Sequence, residues 1–137
     1  MNTITNLTQI ADCNALLAWA GKEKADLTFK KISDERLTVR YADTAQELDA
    51  LLGGVIAELT ATETIIAVLP DGPTKDDAIN KKTRLEYKKF LLETRKESYG
   101  VIALVEKEMD LERVNREIEV VDTFIAAVEA QKVTLAA

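Results

Sequence analysis

The chain has no histidine, one cysteine, two prolines and five glycines among its 137 residues. Without histidine it cannot build a Ser-His-Asp triad, a His-ligated zinc site or a Glu-x-x-His di-iron bundle. The single cysteine, Cys13, can neither close an internal disulfide nor hold a metal cluster alone. The sequence therefore predicts a non-enzymatic protein with no catalytic residue, no cofactor and no metal site.

Aromatic residues are also scarce, with three Phe, three Tyr and one Trp. The composition is instead rich in Ala and Leu, which favour helices, and poor in the residues that strands prefer. We therefore predict an all-α fold of long antiparallel helices with coiled-coil-like seams, in an up-down bundle of four helices. At this length we expect a single helical domain over residues 1–137.

Long hydrophobic runs are missing as well. The purely apolar runs are short, as at 101–105, whereas a membrane helix needs about 20 apolar residues. The first residues lack the basic and apolar regions of a signal peptide. We therefore expect a cytoplasmic protein with no membrane partner.

Both prolines fall in one segment, Leu69-Pro70-Asp71-Gly72-Pro73-Thr74. Pro70 cannot continue a helix, and Gly72 can adopt positive φ. The sequence therefore predicts a sharp turn between two helices at 70–74, with Thr74 as the N-cap of the second helix.

Two seven-residue repeats predict helical packing seams. The first begins after Asp43, a candidate N-cap, and its apolar positions are Leu48, Leu52, Val55, Leu59, Ile66 and Leu69, with Thr62 in the one gap. The second seam lies in the last helix and consists of Leu104, Leu111, Val114, Ile118, Val121, Ile125 and Val128, with Lys107 as its one break. If these seams face each other, they form the core.

The helix after the turn has apolar residues on two sides. A broad stripe contains Ile79, Thr83, Tyr87, Phe90, Leu91 and Thr94. A narrow stripe on the opposite side contains Ala78, Leu85, Leu92 and Tyr99. A helix with two apolar sides is typical of one held between other helices or at a subunit interface.

Four regions are less determined by the sequence. We expect a first helix from about Asn6 to Ile32, and over 27–42 we favour continued helix over a short β-hairpin. Residues 75–131 form either one helix or two, with a corner near Gly100. Gly53 and Gly54 predict the close approach of a neighbouring helix, or a bend, and a frayed tail is expected at 132–137.

The formal net charge is −6, but the middle of the chain is basic between two acidic flanks. Such a pattern favours pairing of the middle with the flanks, within one chain or between chains. The alternative is an anion-binding surface on the basic helix 81–96, where aromatic residues alternate with the candidate site residues Lys82, Lys88, Lys89, Arg95 and Lys96.

The sequence thus predicts a helical scaffold or protein-interaction module that forms homo-oligomers through apolar helix faces. The alternative function is a binding protein that uses helix 81–96 on an acidic partner or nucleic acid, although the acidic net charge disfavours nucleic acid. The seven-residue repeats are common to many helical bundles and identify no family.

Overall fold

The computed structural model describes residues 2–137. A 3-10 helix, Asn2–Asn6, precedes three α-helices: α1 (Ile10–Val68), α2 (Pro73–Tyr99) and α3 (Val101–Ala136). These helices contain 59, 27 and 36 residues, and no strand occurs within residues 2–137. The prediction of an all-α fold is confirmed.

The chain forms two compact units. The terminal unit contains the chain up to Leu37 together with Glu108–Ala137, and the central unit contains Thr38–Lys107. The terminal unit pairs the first part of α1 with most of α3. The central unit pairs the rest of α1 with α2 and the first turns of α3. In each unit the paired helices run antiparallel.

Helix α1 is continuous where the sequence predicted two helices. Residues 27–42 are helical, so the favoured interpretation is correct and the hairpin alternative is wrong. Asp43 lies inside α1 rather than at an N-cap, and α1 begins at Ile10 rather than Asn6. No glycine or proline occurs between 22 and 52, so nothing in that stretch ends the helix. Residues 2–137 consequently form three α-helices, not four.

The chain passes from α1 to α2 within the proline-containing segment. Gly72 has φ 155°, a conformation that favours glycine, and Pro73 occupies the first turn of α2. Thr74 therefore lies inside α2, and its predicted role as the N-cap is wrong. Gly72 is the N-cap residue and provides no side-chain hydrogen bond.

The segment 75–131 forms two helices that meet at Gly100. The Gly100 N–H donates a hydrogen bond of 2.7 Å to the Lys96 carbonyl oxygen. A Cβ at this position would collide with that oxygen, so the close approach requires glycine. At the other end of α3, residues 132–136 of the predicted frayed tail are helical, and half-buried Leu135 lies in that last turn.

The predicted seam of α1 forms the core of the central unit. Leu48 is 1% exposed, Val55 and Thr62 are buried, and the seam positions between them are half-buried. The Thr62 hydroxyl donates a 2.8 Å hydrogen bond to the Glu58 carbonyl oxygen, which satisfies this buried polar group within the helix. This seam packs against α2.

The seam of α3 from Leu111 onward belongs to the terminal unit, where it packs against the first part of α1. Val114 and Val128 are buried there with Cys13 and Ala20. The two predicted seams therefore lie in different units, and the expectation that they face each other is wrong. The seven-residue repeat identified both seams. Each seam packs against a helix segment with a less regular apolar pattern: the α1 seam against α2, and the α3 seam against the first part of α1.

Candidate interaction surface

The two apolar sides of α2 have different environments. Leu85 of the narrow stripe is 7% exposed, and its neighbours Ala78 and Leu92 are half-buried against α1. On the broad stripe, Tyr87 is 63% exposed and Phe90 is 60% exposed. The other members of the broad stripe, Ile79, Thr83, Leu91 and Thr94, are exposed too. The broad stripe is therefore an apolar surface that the chain itself leaves uncovered.

Three of the five predicted anion-binding residues lie close to carboxylates. Lys96 Nζ is 2.9 Å from Asp49 Oδ1 on α1, and Lys82 Nζ is 3.7 Å from Glu63 Oε1 on α1. Lys89 Nζ lies 3.9 Å from Glu93 Oε1 on its own helix. These three lysines are seven residues apart, so they form one line along α2 beside the narrow stripe. The ion pairs between α2 and α1 lie on this side of the stripe. The positive charge of these lysines is directed at acidic groups of the same chain.

The other two predicted residues, Lys88 and Arg95, lie on the opposite side of the narrow stripe. Lys88 is exposed and forms no ion pair with the residues that the structure describes. The Arg95 guanidinium carbon is 6.0 Å from the centre of the Tyr99 ring. The structure therefore divides the five residues into a line of three and a line of two, rather than gathering them into one basic patch.

An aromatic contact fixes the end of α2 near Gly100. The rings of Tyr41 on α1 and Tyr99 on α2 are 5.7 Å apart between centres, and they are tilted by 38°. Lys107 Nζ lies 5.5 Å from the centre of the Tyr41 ring. The lysine that interrupts the α3 repeat thus contacts an aromatic face, a favourable position for a cation.

The terminal unit contains a small apolar cleft that the sequence analysis did not predict. Trp19 contacts Phe124 edge to face, with ring centres 5.8 Å apart, and these two residues line the cleft with Val120 and Val121. Its volume is about 190 Å³. The sequence signal was the apolar Val120 beside the α3 seam, which alone does not indicate a cleft. The ion pair of Lys24 Nζ and Asp122 Oδ1, at 2.6 Å, also joins α1 to α3 in this unit.

Helix α1 contains one 18-residue stretch that is long and apolar enough to cross a membrane, and 17% of this stretch is buried. This differs from the expectation drawn from uninterrupted apolar runs, because closely spaced Leu, Ile and Val residues keep the mean hydropathy high even where Gly, Thr or Glu interrupts the runs. Its length and composition alone are weak evidence for a membrane-spanning helix, since core helices of soluble proteins can be equally long and apolar. Gly53 and Gly54 lie in the apolar part of α1, and a Cβ added to either would meet no neighbour within 4 Å. No helix among the described residues approaches these two glycines closely, so the prediction of a closely packed neighbour is wrong.

The other side chains that could carry out catalysis or bind a metal are either buried or not clustered. Cys13 is fully buried. Within residues 2–137, no three Cys, Asp or Glu side chains come together as a possible metal site. The exposed apolar surface of α2 is one feature of the central unit that its own packing does not explain. Exposed apolar residues of α1 and α3, among them Leu51, Ile65 and Ile102, are others.

No family model, curated protein or solved structure matches this chain.

Proposed function

We propose that this protein is a non-enzymatic, cytoplasmic helical scaffold that self-associates through the broad stripe of α2. The observation that supports this proposal is the two-sided character of α2. Its narrow stripe packs against α1, whereas its more aromatic stripe faces solvent, with Tyr87 and Phe90 both exposed by more than half.

The exposed area supports an interface. If a full aromatic side chain presents about 200 Å², Tyr87 and Phe90 together leave roughly 250 Å² in contact with water. Ile79 and Leu91 extend this surface along the helix. The largest apolar patch on a typical monomer is about 300–600 Å², and such patches commonly serve as binding sites. Covering the stripe removes this surface from water.

The environments of the most reactive side chains, the cysteine thiol and the lysine amines, support the non-enzymatic part of the proposal. Cys13, the one thiol, is buried in the terminal unit. Lys82 and Lys96 are held beside carboxylates of α1. These groups serve packing and pairing within the chain.

The test is the mass of the protein in solution across a range of concentrations. Sedimentation equilibrium of the wild type should give a multiple of 15.2 kDa. The double substitution Tyr87→Glu/Phe90→Glu should shift the mass towards that of one chain and leave the helix content unchanged, because neither side chain belongs to the chain's own core. A matched control is Thr60→Glu/Thr64→Glu, which adds the same charge at exposed positions of α1. A wild-type protein that stays monomeric at all concentrations would contradict the proposal.

A further inference from the structure

Between residues 84 and 97, charged residues border the broad stripe, and the sign of their charge differs between its two edges. In the first turn of α2 the signs are reversed, with Lys75 on the line of Glu86 and Asp77 on the line of Arg84. With 3.6 residues per turn, Glu86, Glu93 and Glu97 lie along one edge, which we call the acidic edge. Arg84, Lys88 and Arg95 lie along the other, the basic edge. All six residues are exposed.

The charges of the acidic edge are only partly compensated within the chain. Glu86 and Glu93 each have one lysine on α2, at 3.8 and 3.9 Å, and their side chains remain about half exposed. Exposed pairs of this kind contribute little to stability and leave the carboxylates accessible. The basic edge likewise points away from the carboxylates of α1 that hold Lys82 and Lys96.

Two copies of this surface can face each other in two symmetric ways. If the two α2 helices are antiparallel, the two-fold axis passes between them and is perpendicular to both. Each edge then meets the same edge of the partner. Acidic edges then face each other, which is unfavourable. If the helices are parallel, the two-fold axis runs along them, and the acidic edge of each copy meets the basic edge of the other. Only the parallel arrangement is complementary on both sides.

The heights of the charged residues along the helix agree with the parallel arrangement. Glu86 lies between Arg84 and Lys88 in sequence, and Glu93 and Glu97 lie on either side of Arg95. Two residues correspond to about 3 Å along a helix, so each carboxylate meets a guanidinium or ammonium at nearly its own height on the partner. The side of α2 that packs against α1 is turned away from this contact, so both copies keep their own core.

We infer that the broad stripe of α2 binds the same stripe of a second copy of this chain, with the two α2 helices parallel about a two-fold axis. In this dimer Thr83, Tyr87, Phe90 and Thr94 each face their own counterparts, and acidic edges meet basic edges on both sides. This inference rests on the proposed self-association and adds to it the partner face and its orientation.

The orientation is tested by disulfide cross-linking of two single-cysteine proteins. Thr83→Cys and Thr94→Cys are each made in a Cys13→Ala background, one of them with a size tag. The two positions are about 16 Å apart along α2. In the parallel dimer each protein forms a disulfide with its own copy, and a mixture yields no 83–94 disulfide. In an antiparallel dimer centred between Tyr87 and Phe90, position 83 of one copy faces position 94 of the other, and the mixed 83–94 product dominates.

A matched control is Thr60→Cys in the same background. Like Thr83 and Thr94, Thr60 is exposed and donates its hydroxyl to the carbonyl four residues earlier, but it lies on α1. It should give no disulfide dimer. Each variant is first checked for wild-type helix content by circular dichroism.

The outcomes separate this inference from the proposed function. Dominant 83–94 product would overturn the parallel orientation while self-association stands. A dimeric mass without any disulfide at 83 or 94 would show that a different face associates. A monomeric mass without disulfides would overturn both proposals.

Charge reversal provides a second, independent test. Glu86→Lys/Glu93→Lys gives both edges a net positive charge and should weaken dimerisation at least tenfold, as measured by sedimentation. Adding Arg84→Glu/Arg95→Glu to the same chain reverses the net sign of the basic edge as well and should restore dimerisation in the parallel arrangement. No restoration in a chain of wild-type helix content would contradict the pairing of opposite edges.

Discussion

The ammonium group of Lys96 on α2 lies 2.9 Å from the carboxylate of Asp49 on α1. With the contact of Lys82 and Glu63, this ion pair marks the side of the central unit on which basic residues of α2 meet acidic residues of α1. The pairing explains how a strongly basic segment exists in an acidic chain: part of its charge is compensated by the helix it packs against. Because the lysines of one line pair with carboxylates and Lys88 of the other line does not, substitutions in the two lines should have different effects on stability.

We predict that Lys96→Glu destabilises the fold by about 1 kcal/mol, because it replaces an attractive contact with repulsion from Asp49. Lys88→Glu is the matched control, since it makes the same change at a position with no ion pair to the described residues. It should alter the free energy of unfolding by less than about 0.5 kcal/mol. Urea unfolding, at a concentration where assembly does not contribute, measures both. Equal effects would show that the ion pair does not form in solution.

We also predict no detectable binding to single- or double-stranded nucleic acid near physiological salt. The net charge of −6 disfavours long-range attraction, and Lys82, Lys89 and Lys96 lie beside carboxylates. Fluorescence anisotropy with labelled oligonucleotides tests this. A micromolar, salt-sensitive complex that is lost in Lys88→Glu/Lys89→Glu would instead support the alternative function, an anion-binding helix.

The helices and the buried seam of α1 could be predicted from the sequence because a seven-residue repeat in a helix defines one face. The choice between the two sides of α2 could not. Both stripes are apolar, and the broad one is the more aromatic, so composition alone favours burying it. The structure buries Leu85 instead, and the same side of α2 brings Lys82 and Lys96 to Glu63 and Asp49. Such a match depends on a second helix and is not visible in the pattern of one.

The seam of α1 gives a prediction for core stability. Leu48 is 1% exposed and Leu51, one turn later, is 50% exposed. Leu48→Ala should therefore reduce the free energy of unfolding by about 2–5 kcal/mol, since it removes buried methyl groups and leaves a cavity. Leu51→Ala should cost less than about 1 kcal/mol because much of that side chain already contacts water. Chemical denaturation distinguishes them, and similar losses for the two variants would mean that Leu51 is buried too, so that the buried face of α1 is wider than the seam.

The apolar stretch of α1 leads to a prediction about membranes. We expect the protein to stay with the soluble fractions when it is centrifuged in a flotation gradient with phosphatidylcholine–phosphatidylglycerol vesicles. Val55 and Thr62 are buried against α2, and Glu63 pairs with Lys82, so insertion would break up the central unit. Placing a carboxylate such as Glu58 in hydrocarbon costs a further 2–3 kcal/mol or so. Recovery of the protein with the floating vesicles would refute this expectation and would count against the proposed cytoplasmic location.

Alanine substitutions at glycines should have opposite effects in the middle of α1 and at the end of α2. Gly53 and Gly54 are in a helix interior with open space around them, so Gly53→Ala or Gly54→Ala should each stabilise the protein by about 0.5–1 kcal/mol. Gly100→Ala should destabilise it, because the new Cβ would collide with the Lys96 carbonyl oxygen where α2 meets α3. Thermal unfolding followed at 222 nm measures the sign of each change. If Gly53→Ala lowers the midpoint only at concentrations where the protein is assembled, a second chain approaches α1 closely there, and the broad stripe is not the sole contact between copies.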